Sequence, residues 1–245
     1  MPELVFARKE ELAELRRRLA RRQPFLLHGP AGVGKTLLLK TLLPGFPKAL
    51  YCNDSTSVKG IFDALGAALV RAGDGHAIAG LGKEAAGLAR KSSVAVRGIV
   101  REALRAGNYS VVLDHVAGAS QTLLSSIKET AQSSSTPVVA VSRSAHMEDL
   151  GFLLHLYPER SERLQLRNFD SATALAFARE TAAQSRLQAL NLAEFLERVV
   201  ELSQGNPGAI IALVGMAREA KYRSAEHIKV TPLYIDFRLQ WNAHG

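Results

Sequence analysis

The segment GPAGVGKT, residues 29–36, limits what this chain can fold into more than any other feature of the sequence. It fits the pattern G-x-x-x-x-G-K-[ST], whose glycines let the backbone turn tightly so that several N–H groups point at one phosphate chain. The pattern needs a buried strand before it and a helix after it, because the helix N-terminus adds partial positive charge. Both neighbours fit: PFLLHG (24–29) is typical of a buried strand, and residues 35–43 have a helical pattern.

This segment predicts a nucleotide site with a metal ion. Lys35 is expected to reach the β- and γ-phosphates, and the Thr36 hydroxyl is expected to ligate Mg²⁺. Because the sequence contains no guanine-reading N-K-x-D motif, ATP and ADP are favoured over GTP as the cofactor. The expected cofactor-binding residues in this segment are Gly29, Pro30, Ala31, Gly32, Val33, Gly34, Lys35, Thr36 and Leu37.

Short apolar segments alternate with helical patterns through the first two thirds of the chain. The predicted strands are 24–29, 49–54, 109–114, 137–142 and 162–166. This alternation predicts an α/β fold with a parallel five-stranded sheet covered on both faces. The predicted domains are a P-loop nucleotide-binding domain at 1–168 and a helical lid subdomain with a C-terminal tail at 169–245.

Three parts of the chain give weaker patterns. The Gly- and Ala-rich residues 72–91 are expected to form a mobile loop or a loosely packed helix. No strand is expected after Asp170, where three helical segments follow one another. The tail KVTPLYIDFRLQW is left unassigned, with Tyr234 and Trp241 expected to be packing residues.

Asp114 ends the apolar run VVLD and is the candidate for the second acidic residue, which holds the metal through water in P-loop enzymes. The alternative makes it a turn or capping residue. His115 follows it, and its imidazole is either a general base near neutral pH or a passive residue in a weak ATPase. Asp54, at the end of the second predicted strand, is an alternative carboxylate. Lys35, Asp114 and His115 are therefore candidate catalytic residues, and Thr36 and Asp114 are candidate metal ligands.

Arginines near predicted strand ends are further candidates. Arg143 follows the strand at 137–142, on the side where ligands bind in parallel sheets, and there it could report whether the γ-phosphate is present. The alternative is a solvated loop arginine. Arg160 and Arg163 could each serve as an arginine finger toward a neighbouring subunit.

The charge balance suggests a second class of partner. Lys and Arg number 31 against 23 Asp and Glu, which gives a formal net charge of +8. Basic proteins of this size often bind nucleic acid, and a helix predicted to begin at Ser92 or Ser93 carries a basic stripe. The stripe consists of Arg97, Arg101 and Arg105, with Lys91 nearby. The alternative is an ordinary solvated helix face.

Cysteine content and hydropathy indicate the compartment. The single cysteine, Cys52, excludes an intrachain disulfide and fits a reducing compartment. No apolar run reaches the roughly 18 residues of a membrane span. The N-terminal sequence MPELVFARKEEL has no apolar region typical of a signal peptide. We therefore expect a cytoplasmic protein with no membrane partner.

In order along the chain, these segments resemble the STAND class of AAA+-like P-loop ATPases and the related archaeal and origin-recognition-type ATPases. The matching motifs, within residues 4–222, are Phe6-x-Arg8-x-x-Glu11-Leu12, GPAGVGKT, VVLDH, VSR and GNPGAI. The resemblance implies an AAA+-like core whose helical lid closes over the nucleotide. It also implies that Val5, Phe6 and Arg8 line the adenine side and that Pro207 contacts the base from the lid. By the same resemblance, Arg143 is the sensor arginine.

Two departures from this family bear on function. The glutamate expected after Asp114 is replaced by His115, so the sequence supports nucleotide binding more strongly than fast hydrolysis. Effector, repeat and winged-helix domains are not evident, so we expect signalling through a protein partner, a homo-oligomer or the tail. The function predicted first is an ATP-dependent switch with slow Mg²⁺-dependent hydrolysis coupled to lid movement. The alternatives are a DNA-associated AAA+ ATPase that regulates transposition or replication, and a nucleotide-binding scaffold that does not hydrolyse ATP.

Overall fold

A five-stranded sheet, in which every strand pair is parallel, forms the centre of the fold. The computed structural model describes residues 7–53, 57–82 and 91–244. The order across the sheet is β2-β3-β4-β1-β5, and the predicted five-stranded parallel α/β fold is confirmed. In chain order the strands are β1 (Phe25–His28), β2 (Ala49–Cys52), β3 (Ser110–Leu113), β4 (Val138–Ser142) and β5 (Arg163–Gln165).

The strand order determines which residues meet at the carboxyl edge of the sheet. β1 lies between β4 and β5, and its last residue, His28, is opposite Ser142 and Gln165. β3 lies between β2 and β4, with Leu113 opposite Cys52 and Ala140. The carboxyl ends of β1, β4 and β3 therefore lie side by side, at the edge where parallel sheets bind ligands.

Helices pack on this sheet with their apolar faces inward. Ser57 and Ser92 each accept a backbone N–H three residues on and so cap the helices that follow them. The α-helices are α1 (Lys9–Ala20), α2 (Lys35–Leu42), α3 (Val58–Arg71), α4 (Gly75–Leu81), α5 (Ser93–Gly107), α6 (Gln121–Ser134) and α7 (Met147–Leu150). Short 3₁₀ helices cover Leu43–Gly45, Phe152–Leu156 and Arg160–Glu162.

The Gly- and Ala-rich segment is better packed than its composition suggests. Asp74 caps α4 by accepting the Ala77 N–H at 2.9 Å, and Ala77 and Leu81 are buried in the apolar core. The first half of this segment is therefore a packed helix, because its small residues allow α4 to pack closely against α3 and α5. Residues 83–90 lie outside the described residues.

The C-terminal part of the chain is mainly helical. Its helices are α8 (Ser171–Gln184), α9 (Leu192–Ser203), α10 (Pro207–Met216) and α11 (Val230–His244), with a 3₁₀ helix at Ala220–Tyr222. The expectation that no strand follows Asp170 is wrong, since β6 (Arg223–Ser224) and β7 (His227–Ile228) form an antiparallel pair. Strands of two residues are too short to produce an alternating sequence pattern. The tail that the sequence left unassigned is helical from Val230.

The chain forms two compact units, each with its own apolar core. The α/β unit comprises Glu10–Gly29 and Lys35–Gln165. Among the described residues, the helical unit comprises residues 7–9, the loop Pro30–Gly34 and residues 166–244. No helix among the described residues is long and apolar enough to cross a bilayer.

Candidate functional site

The phosphate loop, residues 29–36, begins directly after β1 and ends in the first turn of α2. Gly32 and Gly34 have φ of 76° and 102°, in the region that favours glycine. No described residue accepts a hydrogen bond from the backbone N–H of either glycine. The loop therefore has the backbone geometry and the available donors of an anion-binding turn.

Lys35 is the first residue of α2, and its ammonium lies in the α/β unit near both positively and negatively charged side chains. Its Nζ donates a hydrogen bond to the Gly29 carbonyl oxygen at 2.6 Å. The pKa of Lys35 is lowered to about 8, mainly by burial and also by Arg143, although the carboxylates of Asp114 and Asp149 oppose the shift. An ammonium that is partly desolvated in this way gains strongly from an anionic ligand such as a phosphate.

Thr36 and Asp114 are brought together by α2 and the end of β3. The Thr36 hydroxyl donates to Oδ2 of Asp114 at 2.8 Å, and the Asp114 side chain is buried, with 1% of its surface exposed. A hydroxyl beside a carboxylate is an oxygen donor set that suits Mg²⁺. Among the described residues there is no cluster of three or more His, Cys, Asp or Glu side chains. Mg²⁺ does not require one, since it usually takes one or two carboxylates together with substrate phosphates and water.

Tyr51 also belongs to this cluster, and sequence reasoning missed it. Its hydroxyl donates to the same Oδ2 of Asp114 at 2.6 Å. Burial and this hydrogen bond raise the pKa of Tyr51 well above its ordinary value, so the hydroxyl keeps its proton. In the sequence, Tyr51 is only a side chain with a polar tip near the end of a short predicted strand. This feature points to Asp114 only once β2 is known to lie beside β3.

His115 and Arg143 are both exposed. The His115 ring has 67% of its surface exposed, and its Nε2 lies 3.7 Å from Oδ2 of Asp114, beyond hydrogen-bond distance. Its backbone has φ of 56°, and its N–H donates to Oδ1 of Asp114 at 2.8 Å. Arg143 follows β4, and its carbonyl accepts the Gly29 N–H at 3.1 Å.

Of the other polar candidates, Arg163 donates from Nε to the Tyr157 carbonyl at 2.9 Å. This bond occupies part of the guanidinium that an arginine finger would need. Arg160 is exposed in the 3₁₀ helix that precedes β5. Asp54, the alternative carboxylate, lies outside the described residues.

In the helical unit, Arg8 is held against the phosphate loop. Its Nη2 donates to the Arg167 carbonyl at 2.6 Å and to the Val33 carbonyl at 3.4 Å, and its guanidinium lies 4.5 Å from the centre of the Phe169 ring. Arg8 is buried, at 4% exposed, which a cation tolerates only with such partners. Val5 and Phe6, expected on the adenine side, lie outside the described residues.

The start of α10 also contacts the phosphate loop. The Asn206 amide donates from Nδ2 to the Ala31 carbonyl at 2.8 Å, and its Oδ1 accepts the Ala209 N–H and caps the helix. Pro207 is buried at the first position of α10, and the next N–H, of Gly208, donates to the Gly32 carbonyl at 3.0 Å. The sequence did not predict that Asn206 would reach Ala31, which lies 175 positions earlier.

Trp241 of α11 packs on the same glycine. A Cβ added at Gly32 would lie 2.9 Å from the Trp241 ring and 2.6 Å from Oδ1 of Asn206. Trp241 is thus a packing residue, as predicted, and the surface that it covers belongs to the phosphate loop.

The basic stripe on α5 is partly neutralised. Arg101 makes two hydrogen bonds of 2.7 Å to the Glu129 carboxylate, and Arg105 lies 3.5 Å from Glu102. Lys91 is exposed, and Arg97 is partly exposed with Nε 3.4 Å from the Ser93 carbonyl. The unneutralised charge of the stripe is therefore concentrated near the N-terminus of α5.

The fold is similar to those of several solved proteins. The chain is similar to Cdc6 from Pyrobaculum aerophilum (TM-score 0.66, 15% identity, covering 93% of this chain and 65% of that one). It is also similar to the Aeropyrum pernix Orc1 protein, solved in complex with DNA (TM-score 0.61, 19% identity, covering 98% and 65%). A third match is a STAND protein with a tetratricopeptide repeat sensor from Pyrococcus horikoshii (TM-score 0.51, 14% identity, covering 95% and 32%).

At these identities the likeness establishes the fold, and the predicted resemblance to STAND and origin-recognition-type ATPases is confirmed at that level. The chain spans about two thirds of the length of the Cdc6 and Orc1 structures and about one third of the STAND structure. The sequence matches no protein-family model, and no curated protein aligns with it.

Proposed function

We propose that this chain binds ATP and ADP at residues 29–36 and acts as a nucleotide-dependent switch that hydrolyses ATP slowly with Mg²⁺. The observation that carries the proposal is the 2.8 Å hydrogen bond between the Thr36 hydroxyl and the buried Asp114 carboxylate. It joins the end of the phosphate loop to an acidic group at the end of β3. Together with the partly desolvated Lys35, this arrangement fits a phosphate chain with its metal ion.

In this proposal each group has one role. Lys35 neutralises the β- and γ-phosphates, the loop N–H groups hold the phosphate oxygens, and Thr36 and Asp114 hold Mg²⁺. Bound Mg²⁺ supplies charge neutralisation for the transferring phosphoryl group. Arg143 senses the γ-phosphate. Hydrolysis is slow because the exposed His115 ring has no hydrogen bond to any described residue that would aim it at an attacking water.

The switch acts through contacts between the phosphate loop and α10. The Ala31 and Gly32 carbonyls already accept hydrogen bonds from Asn206 and from the Gly208 N–H. A nucleotide that changes the loop backbone changes these bonds as well, so ATP and ADP favour different states of the helical unit. A protein partner or a second copy of the chain then binds one of these states of the helical unit in preference to the other.

Steady-state ATP turnover tests this function, with Lys35→Ala as the blank. The proposal predicts slow turnover that requires Mg²⁺ and disappears in Lys35→Ala. If ATP binds but wild-type turnover equals the blank over days, the chain is a nucleotide-binding scaffold that does not hydrolyse ATP. If ATP does not bind at all, the whole assignment fails.

The second candidate is a DNA-associated ATPase, favoured by the net charge of +8 and by the fold it shares with the DNA-bound Orc1 structure. The cations available for phosphates are Arg97 of α5 and Lys91, which precedes this helix, because Glu129 and Glu102 already pair with Arg101 and Arg105. Phosphate binding by these residues predicts an affinity for duplex DNA that falls steeply with salt.

The test is the salt slope of DNA binding. The double variant Lys91→Ala/Arg97→Ala should lower the slope by about 2, whereas Arg101→Ala, which removes a paired arginine, should leave it nearly unchanged. DNA binding that is absent or insensitive to salt would reject this candidate. Turnover stimulated by DNA would favour it over the switch.

A further inference from the structure

Three donors converge on the Asp114 carboxylate. Oδ2 accepts from the Thr36 hydroxyl at 2.8 Å and from the Tyr51 hydroxyl at 2.6 Å, and Oδ1 accepts the His115 N–H at 2.8 Å. Thr36 and Asp114 already have roles in the proposed metal site, and the His115 N–H is backbone. Tyr51 is the side chain in this cluster that has no role so far.

The sheet holds Tyr51 rigidly in this position. The side chains of β2 alternate, with Leu50 and Cys52 buried in the core on one face and Tyr51 on the other. Lys40 of α2 lies over the Tyr51 ring, 5.8 Å from its centre, so Tyr51 faces the helix that carries Thr36. The Asp114 N–H donates to the Cys52 carbonyl at 2.9 Å, which extends the β2–β3 pairing as far as the carboxylate.

A second tyrosine–aspartate pair in the same unit gives a contrast. The Tyr109 hydroxyl donates to Asp74 at 3.1 Å, and Asp74 caps α4. That pair stabilises a helix start, and neither residue is among the candidate ligands of the nucleotide or metal site. Both tyrosines lose a comparable bond on substitution by Phe, but only Tyr51 shares its acceptor oxygen with the phosphate loop.

We propose that Tyr51 is a positioning residue that fixes the orientation of Asp114 for a divalent cation; this inference rests on the proposed function. Without Tyr51, Oδ2 of Asp114 would accept a hydrogen bond only from Thr36, whose hydroxyl the proposed function also assigns to the cation. With the Tyr51 hydroxyl on one oxygen and the His115 N–H on the other, the plane of the carboxylate is set before the cation arrives. Outer partners of this kind typically contribute on the order of 10- to 100-fold to metal affinity.

The experiment measures how much Mg²⁺ is needed to bind a fluorescent ATP analogue. We compare wild type, Tyr51→Phe, the matched control Tyr109→Phe, Asp114→Asn and the double variant Tyr51→Phe/Asp114→Asn. Tyr51→Phe should raise the half-saturating Mg²⁺ concentration about tenfold, and its affinity for the analogue in EDTA should equal that of wild type. In the Asp114→Asn background the same change should have no further effect, because Tyr51 acts through that carboxylate.

The outcomes separate this inference from the proposed function. Tyr109→Phe should leave the Mg²⁺ requirement unchanged, and thermal unfolding of the nucleotide-free variants shows whether each remains folded. A wild-type Mg²⁺ requirement in Tyr51→Phe, or the same shift in Tyr109→Phe, overturns the role of Tyr51 and leaves the proposed function intact. If wild type binds no analogue or shows no Mg²⁺ dependence, the proposed function fails and the role of Tyr51 fails with it.

Discussion

The chemistry at the end of β3 depends on two adjacent residues with opposite surroundings. Asp114 is buried and accepts three hydrogen bonds, so its position is fixed. His115 is exposed and has φ of 56°, a conformation that few residues other than glycine adopt readily. In the proposed function, this contrast favours firm binding of a cation over precise positioning of an attacking water.

Replacing His115 tests this division. His115→Glu introduces a carboxylate base at the position where the resemblance implies one, so ATP turnover should rise on the order of a hundredfold. His115→Gln has the same length without the charge and should stay near wild type. An equal rate for Glu and Gln would show that the residue after Asp114 does not limit hydrolysis.

His28, the last residue of β1, should make the α/β unit sensitive to acid. Burial lowers the pKa of His28 from its ordinary value of 6.5, and Arg163, His146 and Lys35 lower it further. As pH falls below 6.5, His28 takes up a proton in the unfolded chain more readily than in the folded chain. The free energy of unfolding therefore falls. His28→Gln should lose less stability than wild type between pH 7 and pH 5 in thermal unfolding followed by circular dichroism. Parallel curves for the two proteins would contradict this account.

At the scale of elements, the turn before α10 determines how the helical unit packs. Gly205 has φ of 72°, and a Cβ there would lie 2.1 Å from the Phe169 carbonyl oxygen. The Phe169 N–H in turn donates to the Gly205 carbonyl at 3.0 Å. This close approach of two backbones ties the start of α10 to the segment before α8 and leaves no room for a side chain.

Gly205→Ala should therefore destabilise the helical unit by at least about 2 kcal/mol. Gly215 is the matched control, because it lies within α10 and a Cβ there meets nothing within 4 Å. Gly215→Ala should stabilise the unit by up to about 1 kcal/mol. Urea unfolding followed by Trp241 fluorescence measures both, and similar effects of the two changes would refute the packing argument.

At the scale of the whole molecule, the helical unit carries its own reporter of the phosphate loop. Trp241 is the single tryptophan of the chain, and its ring packs on Gly32 and Gly208. A switch that works through the loop must alter these surroundings when nucleotide binds.

We therefore expect ATP and ADP to change the intrinsic fluorescence of the chain by different amounts. The Trp241→Phe variant should lose this fluorescence change but still bind a fluorescent ATP analogue. The Lys35→Ala variant keeps Trp241, and its fluorescence should not change when nucleotide is added. A saturating nucleotide that leaves the emission of wild type unaltered would mean that α11 does not sense the loop.

The sequence was sufficient to predict those features whose pattern lies within one short segment of the chain. The phosphate loop, the five strands and the acidic residue ending VVLD are each contained in fewer than ten consecutive residues, so the fold class and a candidate ligand set could be predicted. Tyr51 and Asn206 could not be found in this way. Their partners, Asp114 and Ala31, lie 63 and 175 positions away, and strand order and helix packing bring them together.

Charge patterning was also only partly informative. Spacing along α5 places Arg101 and Arg105 on a basic face, but it does not reveal Glu129 on α6, which pairs with Arg101. An ion pair between two helices depends on their packing, which no periodicity within one helix contains. The same reason explains why the tail was left unassigned, since the partners of α11 lie in other helices of the helical unit.

The equilibrium binding of ATP, measured by titration calorimetry with and without Mg²⁺, tests the central claim most directly. Wild type should bind ATP with one site per chain and more tightly with Mg²⁺, and Lys35→Ala should lose this binding. Lys59→Ala, which removes an exposed lysine paired with Asp63 on α3, should bind as wild type does. Equal ATP affinity in wild type and Lys35→Ala would contradict the account, because binding would then not depend on the phosphate loop.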